Sequence, residues 1–147
     1  MKYTTKTEYG LNCLVYMARH GGSHQPITIK EIAAAEKYSP TYVEKILQSL
    51  RASKIVAAQH GNQGGYVLAR QPGEITLKEV IESLEGETFD VFCEPQTRDQ
   101  IVCTHYCACG VKPVWKKAKH LLDSFFSSVT LEMILNNKFE PEPEPSR

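Results

Sequence analysis

One feature constrains the fold of this chain more than any other: two short helical patterns are joined by a tight turn. They are followed by two apolar runs with a glycine-rich segment between them. The first pattern runs from Ile29 to Glu36 and is too short to be stable unless it packs on its neighbours. The second opens with Ser39-Pro40, a capping residue and a proline at the first helical position, and continues to Ala52. The sequence therefore predicts two closely coupled helices with a turn at Lys37-Tyr38.

A β-hairpin is predicted directly after the second helix. Two apolar runs, Ile55 to Ala58 and Tyr66 to Leu68, flank the glycine-rich segment Gly61 to Gly65. Helix, turn, helix and hairpin in this order are the elements of a winged helix-turn-helix domain. We therefore expect a mainly α-helical fold with a small β-hairpin wing.

Further helices are predicted on both sides of this motif. The segment from Thr5 to His20 opens with a Thr-x-x-Glu pattern, in which Thr5 and Glu8 would cap the free amides of the helix start. A second such pattern, Thr76 to Glu79, opens a helix that ends at Gly86. Apolar residues cover two opposite faces of the first helix, so we expect packing on both sides. One face carries Leu11, Leu14, Val15 and Ala18, and the other carries Tyr9, Cys13, Tyr16 and Met17.

A long amphipathic helix is predicted from Val111, where apolar residues keep helical spacing for about five turns. Because this stripe exceeds the needs of a small domain, we interpret the segment as a dimerisation helix. A short helix is expected from Thr130 to Asn136, before Glu-Pro repeats that cannot fold. We divide the chain into a winged-helix domain (1–86), a cysteine-bearing loop (87–110), a dimerisation helix with a short terminal helix (111–137) and a disordered acidic tail (138–147).

Charge is divided unequally along the chain, although the formal net charge is zero. Residues 1–75 carry nine Lys and Arg against five Asp and Glu, whereas residues 76–147 carry eight against twelve. A basic half is typical of a protein that contacts phosphates with one end. The polar N-terminus and the lack of an apolar run of about 20 residues predict no membrane span, and we expect a cytoplasmic protein.

The second helix of the motif and the hairpin tip carry candidate DNA contacts. The apolar stripe from Val43 to Leu50 faces the core, which leaves polar side chains outside. Hydroxyls and amides can reach phosphates or base edges, a glutamate can accept from cytosine N4, and cations neutralise phosphates. Polar residues are also normal on any exposed helix, but the polar glycine-rich tip favours DNA. The candidates are Thr41, Tyr42, Glu44, Lys45, Gln48 and Arg51 on the helix and His60, Asn62, Gln63 and Gly64 at the tip.

Four of the five cysteines lie between Cys93 and Cys109, on a segment without regular periodicity. In a reducing compartment such a group favours a metal over disulfides. Thiolates bind iron–sulfur clusters and zinc, and the spacing Cys-x9-Cys-x3-Cys-x-Cys matches neither a zinc ribbon nor a ferredoxin. The residues alone leave both metals open. The fifth cysteine, Cys13, is interpreted as a small buried apolar residue.

Several segments together resemble the IscR/NsrR/CymR family of winged-helix transcription regulators, over nearly the whole ordered chain. They are Met1 to Leu11, Ser39 to Leu50, Gly61 to Leu68 and Ile75 to Gly86. The resemblance implies a homodimer in which the long C-terminal helix crosses its partner, and a dimer would read a palindromic operator on double-stranded DNA. It also implies DNA contacts by Ser39, Thr41, Tyr42 and Glu44 on the helix and by His60 to Gly64 on the wing.

The resemblance further implies an iron–sulfur cluster, because cluster-binding members carry three cysteines just before the long helix. Alignment on Trp115 places these ligands at Cys93, Cys103 and Cys109. Some members have no cysteines and sense differently. We expect a [2Fe-2S] cluster in preference to a [4Fe-4S] cluster, with zinc as the alternative.

The fourth ligand stays open, because this chain departs from the family pattern. Cys107 is additional, and Lys112 stands where IscR-like members place a histidine ligand. The candidates are Cys107, His105 and Glu8 of the partner subunit, although a capping box would be sufficient reason for a glutamate at position 8.

We expect a dimeric transcription regulator whose operator binding is controlled by a cluster that senses redox state, nitric oxide or iron supply. The alternative is a zinc-stabilised or metal-free winged-helix repressor of the same fold. The chain has no P-loop, no HExxH and no CxxC motif, and nothing that would position a substrate, so we do not expect an enzyme.

Overall fold

The computed structural model describes residues 4–21, 23–87 and 109–139. The proposed ligands Cys93, Cys103, His105 and Cys107 lie outside these ranges, as does the acidic tail from residue 140 onward. The described part is mainly helical with one two-stranded sheet, which confirms the expected fold class. Its helices are α1 (Thr5–His20), α2 (Ile29–Glu36), α3 (Pro40–Ala52), α4 (Leu77–Glu85), α5 (Val111–Ser128) and α6 (Leu131–Leu135), and its strands are β1 (Val56–Gln59) and β2 (Gly65–Leu68).

The hairpin is antiparallel, with Val56 opposite Leu68 and Gln59 opposite Gly65. Strand β1 starts one residue later than the apolar pattern indicates, and β2 starts one residue earlier. A third segment extends the sheet at one point, because Ile27 and Tyr66 exchange two backbone hydrogen bonds of 2.9 and 2.8 Å. This bridge fixes the hairpin to the turn that precedes α2.

The core lies between α1, α2, α3, α4 and the hairpin. Helix α3 buries the apolar stripe that its sequence predicts, Val43, Ile46, Leu47 and Leu50. Helix α1 differs from the two-faced expectation: it has one buried face, and the apolar residues beside that face are only half-buried. Its buried residues are Thr7, Gly10, Cys13, Leu14 and Met17.

The start of α1 is capped differently from the sequence prediction, which was wrong here. The N-cap is Thr4, whose hydroxyl accepts a hydrogen bond from the Lys6 amide at 3.2 Å. The Thr4 amide and hydroxyl and the Thr7 hydroxyl all donate to the carboxylate of Glu85, at the end of α4. Because Glu85, 81 positions away, accepts the hydrogen bond of the Thr4 amide, Glu8 is not needed at the helix start. The predicted capping box of α4, Thr76 with Glu79, is confirmed.

The carboxylate of Glu85 makes the anchoring of α1 dependent on pH. Its partial desolvation opposes ionisation, but the hydrogen bonds from Thr4 and Thr7 outweigh this and lower its pKa below the usual value of 4.5. Folding therefore favours the ionised carboxylate. The stability gained from ionisation is present above the ordinary pKa and is lost as the pH falls through the lowered one.

The variant Glu85→Gln is therefore expected to have a free energy of unfolding about 1 kcal/mol lower than that of the wild type at pH 7, because it loses charge-assisted hydrogen bonds. The difference should shrink as the pH falls below the ordinary pKa of 4.5. Urea denaturation at several pH values measures it. Glu82→Gln is the control, since Glu82 makes an exposed ion pair with Lys78 at 3.5 Å that contributes little. A difference that stays constant down to pH 3 would contradict the role of the charge.

The chain returns to the core after the long helix α5, a contact that the sequence pattern does not reveal. The Leu77 amide donates to the Val129 carbonyl at 2.8 Å, and the Leu131 amide donates to the Ile75 carbonyl at 2.9 Å. Val129 and Leu131 are buried, and Leu131 belongs to the same core as α1 and α3. The body of the protein thus positions the C-terminal end of α5 through α6, and the middle of α5 through α4.

Candidate nucleic-acid interface

The outer face of α3 is polar and exposed. Glu44 and Gln48 lie one turn apart, with the Gln48 amide donating to the Glu44 carboxylate at 3.5 Å. Ser39 is the N-cap residue, but its hydroxyl makes no capping hydrogen bond, which differs from the capping role expected for it. This face has the length and the polarity to enter a major groove. Its exposed candidates are Ser39, Thr41, Glu44, Lys45, Gln48 and Arg51.

Tyr42 differs from the other candidates because its ring is half-buried in a cluster of tyrosines. The ring of Tyr9, on α1, stacks on Tyr38 at 4.1 Å and meets the edge of Tyr42 at 5.6 Å. The Asn12 side chain donates to the Tyr38 hydroxyl at 2.8 Å. Helix α1 therefore supports the first turn of α3. The sequence analysis missed this contact, and the aromatic residues at positions 9, 38 and 42 are the only sequence signal that could have indicated it.

The hairpin tip presents His60, Asn62 and Gln63 to solvent. Its glycines are required by the hairpin itself. A Cβ at Gly64 would lie 2.6 Å from the Gln59 carbonyl oxygen, and Gly61 has a φ of +124°, which favours glycine. Contacts within the protein are therefore sufficient to require glycine at these positions, and contact of Gly64 with DNA remains a prediction.

Gly65→Ala is expected to lower the free energy of unfolding by about 2 kcal/mol and to displace the wing. A Cβ at this position would lie 2.6 Å from the Ile27 carbonyl oxygen, which is held in the bridge to Tyr66. Gly110→Ala is the matched control, because a Cβ there meets nothing within 4 Å. Thermal unfolding of both variants measures the effect. Equal stability of the two variants would contradict this account of the close contact.

Helix α5 exposes apolar side chains along its length, and none of its residues is fully buried. Asp123 forms an ion pair with Lys78 of α4 at 3.9 Å, and Lys119 forms one with Glu87 at 3.8 Å. One side of α5 therefore faces α4 and the residues that follow it. The other side carries large apolar residues that are between 48% and 61% exposed. They are Val111, Val114, Trp115, Leu121 and Phe125.

Of the proposed metal ligands, the structure describes Cys109 and Glu8. Cys109 is a half-buried free thiol two residues before α5. Cys13 is fully buried, as expected from the sequence. Its burial, together with the nearby Glu36 charge, raises the pKa of its thiol to about 12. Among the described residues, no three His, Cys, Asp or Glu side chains come together as a metal site.

Glu8 is exposed on the first turn of α1 and lines a cleft of about 410 Å³ between α1, α4 and α5. Leu11, Ile81 and Phe126 provide apolar walls. In the described ranges its carboxylate takes part in no hydrogen bond or ion pair. Without a capping role, Glu8 is therefore available to a group from outside this subunit.

The sequence matches the family model named Rrf2, described as an iron-dependent transcriptional regulator, over residues 3–137. The chain belongs to the Rrf2 family. Membership makes it a DNA-binding transcriptional regulator, and because the family and its named members are regulators, the expectation that it is not an enzyme is confirmed. In the described residues of this Rrf2-family protein, no helix is both long and apolar enough to span a bilayer.

Named relatives support the same assignment. Protein rrf2 of Nitratidesulfovibrio vulgaris is 30% identical over 137 residues, which cover 93% of this chain and 89% of that protein. The structure of CymR, the global cysteine regulator of B. subtilis, is similar with a TM-score of 0.74 and 28% identity, covering 93% of this chain and 98% of the other. The structure of T. potens IscR has a TM-score of 0.69 and 30% identity, covering 99% and 94%. The resemblance noted in the sequence is thereby confirmed.

Proposed function

We propose that this Rrf2-family protein is a homodimeric regulator whose binding to a palindromic operator is controlled by an iron–sulfur cluster. The observation that carries the proposal is the group of cysteines immediately before α5, which ends at the half-buried Cys109. A ligand at this place joins the cysteine segment directly to the start of the helix that would form the dimer.

The dimer is supported by the apolar stripe of α5. A monomer that exposes Val114, Leu121 and Phe125 along one helix leaves a contiguous apolar surface in water. A second copy of the same helix would cover it in the isologous manner of twofold dimers. A two-fold dimer would place two copies of α3 at a fixed spacing, which is the geometry that a palindromic operator requires.

The chemistry of the site fits a thiolate-bound cluster. Cys109 is a free thiol next to the N-terminus of α5, whose N-cap residue is Gly110 and where partial positive charge favours a negative group. We propose Cys93, Cys103 and Cys109 as ligands, with the fourth from Cys107, His105 or Glu8 of the partner subunit. The exposed carboxylate of Glu8 and its lack of a capping role support the last of these. When bound, the cluster would supply a redox-sensitive and iron-sensitive group of thiolate-ligated iron.

DNA contact is proposed for the exposed face of α3 and for the wing tip. Lys45 and Arg51 would neutralise phosphates, while Thr41, Tyr42, Glu44 and Gln48 would face base edges. Ser39, His60, Asn62, Gln63 and Gly64 would contact the backbone or the adjacent groove. The basic first half of the chain supports this orientation.

Purification without oxygen tests the cofactor. We expect visible absorption and stoichiometric iron and sulfide, together with a dimeric mass by sedimentation. A colourless protein with one zinc per subunit would contradict the cluster and support the zinc-stabilised repressor.

A metal-free repressor is the second candidate, favoured by the similarity to CymR of B. subtilis, whose structure is described as that of a global cysteine regulator. Metal analysis distinguishes this candidate, because it predicts a protein without bound metal. It also predicts that the protein keeps its full DNA affinity after treatment with a chelator.

A further inference from the structure

The last turn of α4 holds two other helices at once, through three consecutive residues. The Ser83 hydroxyl donates to the backbone carbonyl of Ser49, near the C-terminal end of α3, at 3.0 Å. The Ser49 carbonyl also accepts a hydrogen bond from the Ser53 amide at 3.3 Å, so the Ser83 hydroxyl binds to the second lone pair of that carbonyl oxygen. The sequence analysis assigned no role to Ser83.

The same turn holds the start of α1. The Leu84 carbonyl accepts from the Lys6 ammonium at 2.8 Å, and the Glu85 carboxylate accepts from Thr4 and Thr7. The Leu84 side chain packs directly on Gly10, where a Cβ would collide with it. Four residues of the first two turns of α1 are therefore fixed to the Leu84-Glu85 end of α4, on either side of Glu8.

A small tilt of α3 at Ser49 has a large effect at the DNA end of this helix. Thr41 lies eight residues before Ser49, which is about 12 Å along the helix axis. A tilt of about 5° around Ser49 therefore moves Thr41 by about 1 Å, which is enough to lengthen a direct hydrogen bond beyond its useful range.

We infer that Ser83 is a positioning residue for the recognition helix α3, and that the turn Ser83-Leu84-Glu85 couples the orientation of α3 to the first turn of α1. This inference rests on the proposed function, since it assigns α3 to DNA recognition. It deepens that function by identifying the contact through which a change at the start of α1 reaches the DNA-reading surface.

The first test compares Ser83→Ala with Ser49→Ala. Each variant removes one hydroxyl, but only the Ser83 hydroxyl takes part in the α3–α4 link. Ser49 contributes its backbone carbonyl to that link, and its own hydroxyl donates to the backbone carbonyl of Lys45 within α3. The probes are a duplex selected from a random library by the wild type and a scrambled duplex of equal length. Ser83→Ala is expected to bind the selected duplex about three- to tenfold more weakly and the scrambled duplex less than about twofold more weakly. Ser49→Ala and Ser83→Thr should bind as the wild type does.

Equal weakening on both duplexes, or wild-type binding by Ser83→Ala, would overturn the positioning role. A wild type that does not prefer any selected duplex would instead contradict the proposed function.

The second test needs no DNA and separates the two proposals. Hydrogen exchange is measured for Glu85→Gln, Ser83→Ala and the double variant. The hydrogen bonds of the Glu85 carboxylate go to Thr4 and Thr7 at the start of α1. Glu85→Gln is nevertheless expected to speed exchange in the last turn of α3 by about threefold or more, through the shared turn of α4. In the Ser83→Ala background, Glu85→Gln should change α3 exchange by less than about 1.5-fold. Additive effects of the two substitutions on α3 would overturn the coupling, whether or not the protein binds a cluster.

Discussion

The variant Lys45→Gln/Arg51→Gln is expected to bind the duplex selected by the wild type about 50-fold more weakly than the wild type does at 0.1 M salt. Both cations lie exposed on the outer face of α3, where each would neutralise one phosphate. Loss of two phosphate contacts makes the slope of log affinity against log salt concentration less negative by about 1.8. Over the tenfold range from about 1 M to about 0.1 M salt, that slope difference corresponds to the expected loss of affinity. Gel-shift titrations at two or more ionic strengths measure both quantities.

Lys117→Gln/Lys138→Gln is the matched control for this variant. It removes the same charge from two exposed positions on α5 and after α6, outside the helix-turn-helix motif. We expect its affinity to fall less than about threefold, since these charges act only from a distance. Equal losses in the two variants would show that net charge, and not the α3 surface, governs binding.

Cys109→Ser, purified without oxygen, is expected to retain less than about a tenth of the wild-type iron and to lose the visible absorption. A serine hydroxyl is a much poorer ligand for iron than a thiolate. Cys103→Ser and Cys93→Ser should behave in the same way. Iron and sulfide analysis with absorption spectra of each variant measures the effect.

Two controls define which cysteines matter. Cys13→Ala should keep full iron content, because this thiol is buried in α1 with a pKa raised to about 12. Cys107→Ser should also keep it if the fourth ligand is Glu8 of the partner subunit, and Glu8→Ala should then lower it. Loss of iron in Cys107→Ser, together with full iron in Glu8→Ala, would assign the fourth ligand position to Cys107. Full iron in Cys109→Ser would contradict the proposed ligand set of Cys93, Cys103 and Cys109.

The elements that were predicted well are those whose signal is local. The apolar stripe of α3 places Val43 and Leu50 in the core because helical periodicity alone decides which side of a helix is apolar. The Thr76–Glu79 capping box formed as expected, since both groups belong to one turn of backbone. The hairpin boundaries differ by one residue at each strand, because Gln59 pairs with Gly65 and both join the sheet although neither belongs to an apolar run.

The features that were missed depend on residues far apart in the chain. Thr5 and Glu8 match a capping box, yet Glu85 displaced that local solution by accepting hydrogen bonds from Thr4 and Thr7. Tyr9 and Tyr42 meet only because α1 crosses the first turn of α3. Periodicity carries no information about such crossings, since it describes one helix at a time.

By itself, the sequence determined the order of the elements, the outer face of α3, the apolar stripe of α5 and the group of cysteines before it, because each of these is a spacing along one stretch of backbone. The tertiary structure alone decided that α4 holds both α1 and α3, and that Glu8 is left without a capping role. The physical reason is that a buried or half-buried polar group takes whichever partner the packing brings within hydrogen-bond distance, and that partner was Glu85, not Glu8.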